Sequence, residues 1–164
     1  FNQNYDVKIV DFGFTCPLEG PLGIGTFKGI TGTRGYMAPE IVANGNGKAD
    51  ADLFALAVIL FNLYTGHSPF EEAKLSDRKY SLIAQNRSEL FWGHWQPILH
   101  ITQQKLFSEE FKDLLTTMLS YEAHQRLCMA DVIGHPWLNS GPIASAEKVR
   151  AELAARHNKM STQN

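Results

Sequence analysis

Several features that would assign a chain to a broad class at once are absent from this sequence. Only two cysteines, Cys16 and Cys128, occur among its 164 residues, too few and too isolated for a disulfide framework or a Cys-rich zinc site. Their scarcity favours a reducing, cytoplasmic or intracellular setting. The longest apolar run, Leu53 to Leu60, falls far short of the roughly 20 residues that cross a bilayer, so we expect a buried helix there and no membrane segment.

An excess of charge of one sign is also absent. Charged residues make up 20% of the chain and the formal net charge is −2, which leaves no broad basic field to hold a nucleic acid or an anionic membrane. Charge therefore identifies no partner. The sequence begins with Phe1 and continues without a signal-peptide pattern, so we expect either a processed chain or a fragment.

What the sequence contains is a hydrophobic fraction of 44%, enough for a globular core. Near the start, apolar Val7 and Ile9 alternate with polar residues and lead into Asp11-Phe12-Gly13, a pattern that predicts a short strand over residues 5–10 followed by a turn. Residues 14–35 are rich in Gly, Pro and Thr, which keeps regular elements from persisting. A connector this long is more often functional or mobile than passive.

Helical patterns dominate after residue 50. The first predicted helix has Asp50 or Asp52 as its N-cap and Gly66 as its end, and apolar residues on nearly every face indicate that protein surrounds it. A second helix follows a Ser108 cap, and its apolar stripe falls at i, i+3, i+4, i+7 and i+8: Phe111, Leu114, Leu115, Met118 and Leu119.

Two further helical segments are shorter or more polar. Residues Leu127 to Ile133 predict a short helix stopped by Gly134 and Pro136. The tail from Ser145 to Lys159 is weakly amphipathic, with Glu152 and Arg156 paired at i+4. Phe91, Trp92 and Trp95 are interpreted as packing residues of a helix-loop segment rather than as a docking pocket. The sum is a mostly helical chain with one strand at its start.

Two motifs stand in a fixed order along the chain. Asp11-Phe12-Gly13 places an aspartate at the end of the predicted strand, and Gly32-Thr33-Arg34-Gly35-Tyr36-Met37-Ala38-Pro39-Glu40 follows the glycine-rich connector. A carboxylate in this setting suits Mg²⁺ held on a nucleotide, and the glycine frees the backbone beside it. Asp-Phe-Gly followed by Ala-Pro-Glu is part of the protein-kinase signature set.

On these residues the chain resembles the C-lobe of a eukaryotic serine/threonine protein kinase, over roughly residues 5–138. Residues 52–61 resemble the central buried helix, 66–70 the turn that closes it, and Arg126 with His135-Pro136-Trp137-Leu138 the last landmark. The resemblance implies a mostly α C-lobe with a short strand before Asp-Phe-Gly and no N-lobe. It also implies a partial kinase domain at 1–138 and a partly helical extension at 139–164. The motifs look most like the calcium/calmodulin-dependent group.

The resemblance then implies roles for single residues. Asp11 resembles the carboxylate that holds Mg²⁺ against the phosphates of ATP, with Phe12 and Gly13 in the same cofactor-binding motif. Thr33 resembles the threonine that hydrogen-bonds the catalytic base. Gly-Thr at this place is the form found in kinases that act on Ser and Thr, so hydroxyl acceptors of protein substrates are implied.

Three more positions resemble structural residues of the family. Glu40 and Arg126 are expected to form a buried ion pair, and Asp52 is expected to bond the backbone of the catalytic loop. Ala57 replaces a usual glycine at little cost in the helix. A phosphorylatable residue often lies four positions before the matched threonine, and here Gly29 stands there.

Activation by phosphate at Gly29 is therefore not expected, and Thr26 and Thr31 remain the candidate phosphorylation sites. The phosphate loop, the strand lysine, its partner glutamate and the His-Arg-Asp loop of the family would all precede Phe1. We therefore expect the 164-residue piece alone to be inactive, whereas the resemblance implies a protein serine/threonine kinase that uses MgATP.

Other interpretations stay open from the sequence. A pseudokinase or scaffold could use the lobe for protein binding, and a truncated chain could act as a decoy for substrates. The basic residues of the tail, Lys148, Arg150, Arg156 and Lys159, fit either a solvated surface helix or a segment for calmodulin or another regulatory protein.

Overall fold

The computed structural model describes residues 5–19, 25–98 and 107–161. The chain divides into two compact units, one of Cys16–Asn139 and one that combines Phe1–Thr15 with Ser140–Asn164. The described part is mostly helical, as the sequence predicts. None of its helices is long and apolar enough to cross a membrane.

The larger unit contains seven α-helices and two short strands among its described residues. The strands β1, Phe27–Lys28, and β2, Asn46–Gly47, pair antiparallel with Phe27 opposite Gly47 and Lys28 opposite Asn46. The helices are α1, Pro39–Asn44; α2, Asp50–Thr65; α3, Tyr80–Ala84; α4, Ser88–Ile98; α5, Glu109–Met118; α6, Met129–Gly134; and α7, Pro136–Asn139.

Helix α2 forms the centre of this unit. Its buried residues Phe54, Val58 and Phe61 are fully enclosed, but Ile59 and Leu63 are exposed. The predicted burial on nearly every face of the helix is therefore only partly correct. The helix ends at Gly66, whose φ of 74° is a left-handed C-cap.

The predicted N-cap of α2 is wrong. Ala49 occupies the cap position, and Asp50 and Asp52 lie within the first turn without a side-chain cap bond there. A carboxylate that is already inside the helix cannot reach the amides two or three residues ahead as a cap does. Both carboxylates instead favour the positive end of the helix dipole.

Aromatic rings fill the space between α2, α4 and α5. Phe61 contacts Trp95 with ring centroids 5.1 Å apart and also packs against Phe91 and Trp92. Tyr64 stacks on Phe111 at 4.4 Å. Phe91, Trp92 and Trp95 are buried, which agrees with their interpretation as packing residues.

Helices α5 and α6 show how local capping sets their starts. The Ser108 hydroxyl accepts a hydrogen bond from the Phe111 amide at 3.2 Å, so the predicted cap is confirmed. Helix α6 begins at Met129, two residues later than predicted, because Cys128 takes the cap position and its amide donates to Asp131 at 3.0 Å. Hydrogen bonds from Cys128 also lower the pKa of the Asp131 carboxyl.

The smaller unit contains the C-terminal helix α8, Ala146–Ser161, and the segment that leads to Asp11. Arg150 Nη2 lies 2.8 Å from Asp6 Oδ1, and Arg156 Nε lies 2.8 Å from Glu152 Oε1. The second pair is the one that the spacing predicts, and the Arg156 hydrogen bond lowers the pKa of Glu152.

The predicted strand over residues 5–10 does not form in the structure. A strand needs a neighbour to accept its backbone hydrogen bonds, and the strands of the described chain pair with each other instead. Without a sheet to pack on, Val7, Ile9 and Val10 are exposed. The alternating pattern is present in the sequence, but no neighbouring strand pairs with it in the described structure.

Candidate functional site

Asp11 lies at a sharp turn in the smaller unit. Its backbone has φ 62° and ψ 77°, the left-handed region, and it caps the short 3₁₀ turn of residues 12–14. Aspartate is one of the few residues that tolerate this conformation. Strained backbone of this kind occurs often at functional sites, and here it presents an exposed carboxylate.

Gly13 helps to shape the surroundings of that carboxylate. Its amide donates to Asp11 Oδ1 at 3.2 Å, and a Cβ at Gly13 would lie 3.1 Å from the same oxygen. A side chain at this position would therefore crowd the carboxylate. Phe12, the middle residue of the motif, is exposed in the structure.

Thr33 begins a second turn, which lies in the larger unit. It is exposed and caps the 3₁₀ turn Arg34–Tyr36, and its carbonyl accepts from the Tyr36 amide at 2.9 Å. The Tyr36 hydroxyl accepts from Asn62 Nδ2 of α2 at 3.1 Å. The turn that carries Thr33 is thus fixed to the central helix.

Glu40 and Arg126 meet, as the resemblance implies. Arg126 Nη1 and Nη2 donate to the two carboxylate oxygens of Glu40 at 2.8 and 2.6 Å. The Arg126 side chain has 0% exposure and that of Glu40 has 23%. A bidentate pair of this kind combines charge with fixed geometry, so it joins α1 to the segment before α6.

The remaining bonding capacity of Arg126 is also used. Its Nε donates to the Ser120 carbonyl at 3.0 Å, and the guanidinium lies 5.2 Å from the centroid of the Phe54 ring. Nearby, the hydroxyl of buried Tyr80 donates to the Leu119 carbonyl at 3.2 Å. Burial raises the pKa of Tyr80 above its ordinary value, with Arg126 acting in the opposite direction and Glu40 in the same one.

The other predicted positions are less engaged. Asp52 is exposed in the first turn of α2; its expected role toward a catalytic loop stays a prediction. Thr31 is exposed, whereas Thr26 is half-buried and its carbonyl accepts from the Glu19 amide at 2.9 Å. Asp11 belongs to the smaller unit, and Thr33, Glu40, Arg126 and Asp52 all belong to the larger one.

Two organising residues were missed by sequence reasoning. Asp77, between α2 and α3, accepts four backbone hydrogen bonds: from Glu71 and Glu72 at 3.0 and 3.3 Å, and from Lys79 and Tyr80 at 2.9 Å each. An aspartate in a polar connector is a signal for such a turn. Asn62 is the other, and nothing in the helical pattern indicates its contact with Tyr36.

In the part of the chain that the structure describes, no protein-only metal site accompanies Asp11. Among the described residues, no group of three or more His, Cys, Asp or Glu side chains gathers around one point. Magnesium does not need such a group, because it is commonly held by one or two carboxylates together with substrate phosphates and water. The exposed, single carboxylate of Asp11 fits that manner of binding.

A bidentate ion pair anchors the Ala-Pro-Glu helix, and a buried helix lies at the centre of the same unit. Both features are those that the resemblance to a protein-kinase C-lobe implies. The family model described as protein kinase domain matches residues 1–138. The chain therefore belongs to the protein kinase domain family.

Curated relatives agree with this assignment. The chain is 31% identical over 147 residues to the probable serine/threonine-protein kinase fhkE of Dictyostelium discoideum, covering 85% of this chain and 18% of that protein. It is 32% identical over 148 residues to the calcium/calmodulin-dependent protein kinase cmkA of Emericella nidulans, covering 90% and 32%. It is 29% identical over 150 residues to the serine/threonine-protein kinase H1 homolog of Pinctada fucata, covering 90% and 33%. The chain thus spans a third or less of the length of each of these relatives.

Proposed function

We propose that this chain is the C-lobe part of a serine/threonine protein kinase that transfers the γ-phosphoryl group of MgATP to Ser or Thr hydroxyls of protein substrates. The observation that supports it most is Asp11, an exposed carboxylate in a left-handed turn followed by the Gly13 amide. A domain that only binds proteins has no need to keep this carboxylate in a strained turn. The names of the curated relatives support the same reaction.

In this proposal Asp11 holds Mg²⁺ on the ATP phosphates, with Phe12 and Gly13 in the same cofactor-binding motif, and the Gly13 amide keeps the carboxylate in place. Mg²⁺, when bound, neutralises charge on the phosphates during transfer. The Gly13 amide occupies one side of Oδ1, and the missing side chain of Gly13 leaves the surrounding space open. Catalytic groups of the family outside this chain would complete the site, so the piece alone is proposed to be inactive.

Thr33 is proposed as the residue on the substrate side that hydrogen-bonds the catalytic base. Its exposure leaves the hydroxyl accessible, and the Asn62–Tyr36 hydrogen bond fixes the turn that it begins. Asp52 is proposed to bond the backbone of the catalytic loop. The ion pair between half-buried Glu40 and buried Arg126 holds the Ala-Pro-Glu helix, α1, against the rest of the lobe, which supports the proposed roles of Thr33 and Asp52.

The test is phosphoryl transfer by the complete protein to a peptide library, with radiolabelled ATP and Mg²⁺. We expect label on Ser or Thr and its loss by several orders of magnitude in Asp11→Asn, because the metal carboxylate is removed. Glu19→Gln, which changes an exposed acidic side chain eight residues further along the chain, is the matched control and should leave turnover unchanged. Equal activity of Asp11→Asn and the natural sequence would contradict the proposal.

A scaffold or pseudokinase is the second candidate, and the upstream coding sequence separates it from a kinase. A strand lysine, its glutamate and His-Arg-Asp read in frame before Phe1 would support catalysis. Their replacement would support a binding domain. A decoy function for the chain alone requires that it fold, and finding it unfolded would end that idea.

Several finer points belong to the same proposal. The kinase part is proposed to end at residue 138, with 139–164 as an extension whose helix α8 carries the basic residues. A calmodulin-like protein is a candidate partner for that helix. Thr31, which is exposed, is a better candidate for phosphorylation than half-buried Thr26. An intracellular location is proposed from the two exposed free cysteines.

A further inference from the structure

We propose that Phe27 and Gly47 form a positioning pair that holds residues 25–36, here called the substrate-side segment, on the larger unit. Packing of these two residues takes the place of a phosphorylated side chain in the segment. The effect that we expect on substrate binding rests on the proposed kinase function, whereas the packing of Phe27 on Gly47 does not. Its basis is the ladder between β1 and β2, in which Phe27 lies directly opposite Gly47.

The first argument is steric. A Cβ built on Gly47 would lie 2.5 and 2.6 Å from two ring carbons of Phe27 and 3.2 Å from Ile41. Real Cβ atoms do not approach other atoms so closely, so the Phe27 ring occupies the volume that a side chain at residue 47 would need. The ring also packs against the buried core. The absence of a side chain at Gly47 therefore leaves the space into which the Phe27 ring packs.

The second argument is that the attachment continues beyond the ladder. The Gly29 amide donates to the Gly45 carbonyl at 2.6 Å, and Gly29 has φ 122°, a conformation that favours glycine. Ile30 then packs closely on Gly45, since a Cβ there would lie 3.1 Å from Ile30 Cγ1. The segment is thus attached to the turn after α1 as far as Ile30, which lies three residues before Thr33.

The third argument concerns what holds the far end. Tyr36 is bonded to Asn62, and a Cβ at Gly35 would lie 3.5 Å from the Glu71 carbonyl, on the loop that Asp77 organises. The substrate-side segment is therefore fixed at both ends, with Thr33 between them. At residue 29 no side chain exists to carry a phosphate, so packing and backbone hydrogen bonds do the holding.

The test is hydrogen exchange by mass spectrometry on the complete protein, with Gly47→Ala, Phe27→Ala and the double variant. Gly47→Ala should accelerate exchange in residues 25–36 by about tenfold or more, because a methyl group is forced into a packed contact. Phe27→Ala should accelerate it by a smaller factor. The double variant should exchange no faster than Phe27→Ala, because removal of the ring makes room for the new methyl group.

The matched control is Gly93→Ala in α4, where an added Cβ meets nothing within 4 Å. It should leave exchange in the segment unchanged, and all variants should leave α5 protected. Equal behaviour of Gly47→Ala and Gly93→Ala, additive effects in the double variant, or equal loss of protection in α5 would each overturn the pairing.

The functional consequence is measured separately in the complete protein. Gly47→Ala should raise KM for a peptide substrate several-fold more than it changes kcat, and Phe27→Ala introduced with it should bring KM back to the value of Phe27→Ala alone. An unchanged KM in a protein whose segment has loosened would overturn the positioning role. If the complete protein transfers no phosphate at all, the proposed function fails, while the exchange experiment still decides whether Phe27 and Gly47 hold the segment.

Discussion

The two regions that carry the kinase landmarks differ in how their residues are held. Around Glu40 and Arg126, an ion pair, backbone bonds and aromatic rings connect elements far apart in sequence. Along residues 7–14, apolar side chains that include Ile9 and Phe12 are exposed, and the backbone forms no strand. The motif at Asp11 keeps its local turn geometry even so.

This difference shows which features are local and which are cooperative. The Asp11 turn needs only its own residues and the Gly13 amide, because a short aspartate side chain can bond the backbone two residues ahead. A strand and a buried ion pair need partners from elsewhere in the chain. The larger unit contains such partners among its described residues. The segment before Asp11 has an exposed ion pair between Asp6 and Arg150, but the described structure holds no strand that pairs with it.

The largest effect on stability should come from Arg126→Met, which removes the bidentate ion pair with Glu40 and the hydrogen bond to the Ser120 carbonyl. It leaves the Glu40 carboxylate without its partner and should lower the free energy of unfolding by about 3–5 kcal/mol. The measurement is chemical denaturation followed by tryptophan fluorescence. Arg156→Met is the control, because it breaks the exposed pair with Glu152 and should cost less than about 0.5 kcal/mol. Similar losses in the two variants would contradict the contrast.

A matched pair of isoleucines sharpens the comparison. Ile83 is 5% exposed in α3, and Ile9 is 85% exposed before Asp11. Ile83→Ala should destabilise the chain by about 2–5 kcal/mol, because it opens a cavity in the core. Ile9→Ala should change stability by less than about 0.5 kcal/mol. A loss at Ile9 comparable with that at Ile83 would mean that the first segment is packed after all.

Asp77 tests whether the loop between α2 and α3 depends on one carboxylate. Asp77→Ala removes the acceptor of four backbone amides and should cost about 1–3 kcal/mol in thermal or chemical denaturation. Asp77→Asn, which keeps one acceptor oxygen, should cost less. Glu71→Ala leaves the Glu71 amide in place and serves as the control. If Asp77→Ala leaves the free energy of unfolding unchanged, the loop keeps its conformation without this carboxylate.

Tyr80 gives a smaller, pH-dependent effect. Burial raises its pKa above the value of 10.0 for an unperturbed tyrosine, so the neutral form is favoured in the folded chain. The corresponding stability is fully present below pH 10 and is lost as the pH rises through the folded pKa. Tyr80→Phe should cost about 1 kcal/mol at neutral pH through its lost hydrogen bond.

Above pH 10, Tyr80→Phe should also flatten the fall in stability that the natural sequence shows. The control is Tyr64→Phe, since the Tyr64 ring is partly exposed. If the two variants have the same stability slope in alkali, Tyr80 ionisation is not coupled to folding.

The elements that sequence reasoning predicts well are those whose signals are local. The α2 pattern and its Gly66 end, the Ser108 cap and the Glu152–Arg156 pair all depend on residues within a few positions of one another. The strand at 5–10 is wrong because its pattern says nothing about a pairing partner. The β1–β2 ladder is too short for any periodicity, and Asp77 acts through backbone amides that no side-chain pattern shows. The Glu40–Arg126 pairing was expected from the family resemblance alone.

Hydrogen exchange along the 164-residue chain tests the contrast most directly. We expect amides of α2 between residues 53 and 61 to exchange only through global unfolding, and amides of residues 7–10 to exchange at nearly the rate of an unstructured chain. Comparable protection in the two regions would contradict the account, because it would show that the segment before Asp11 is packed as firmly as the central helix.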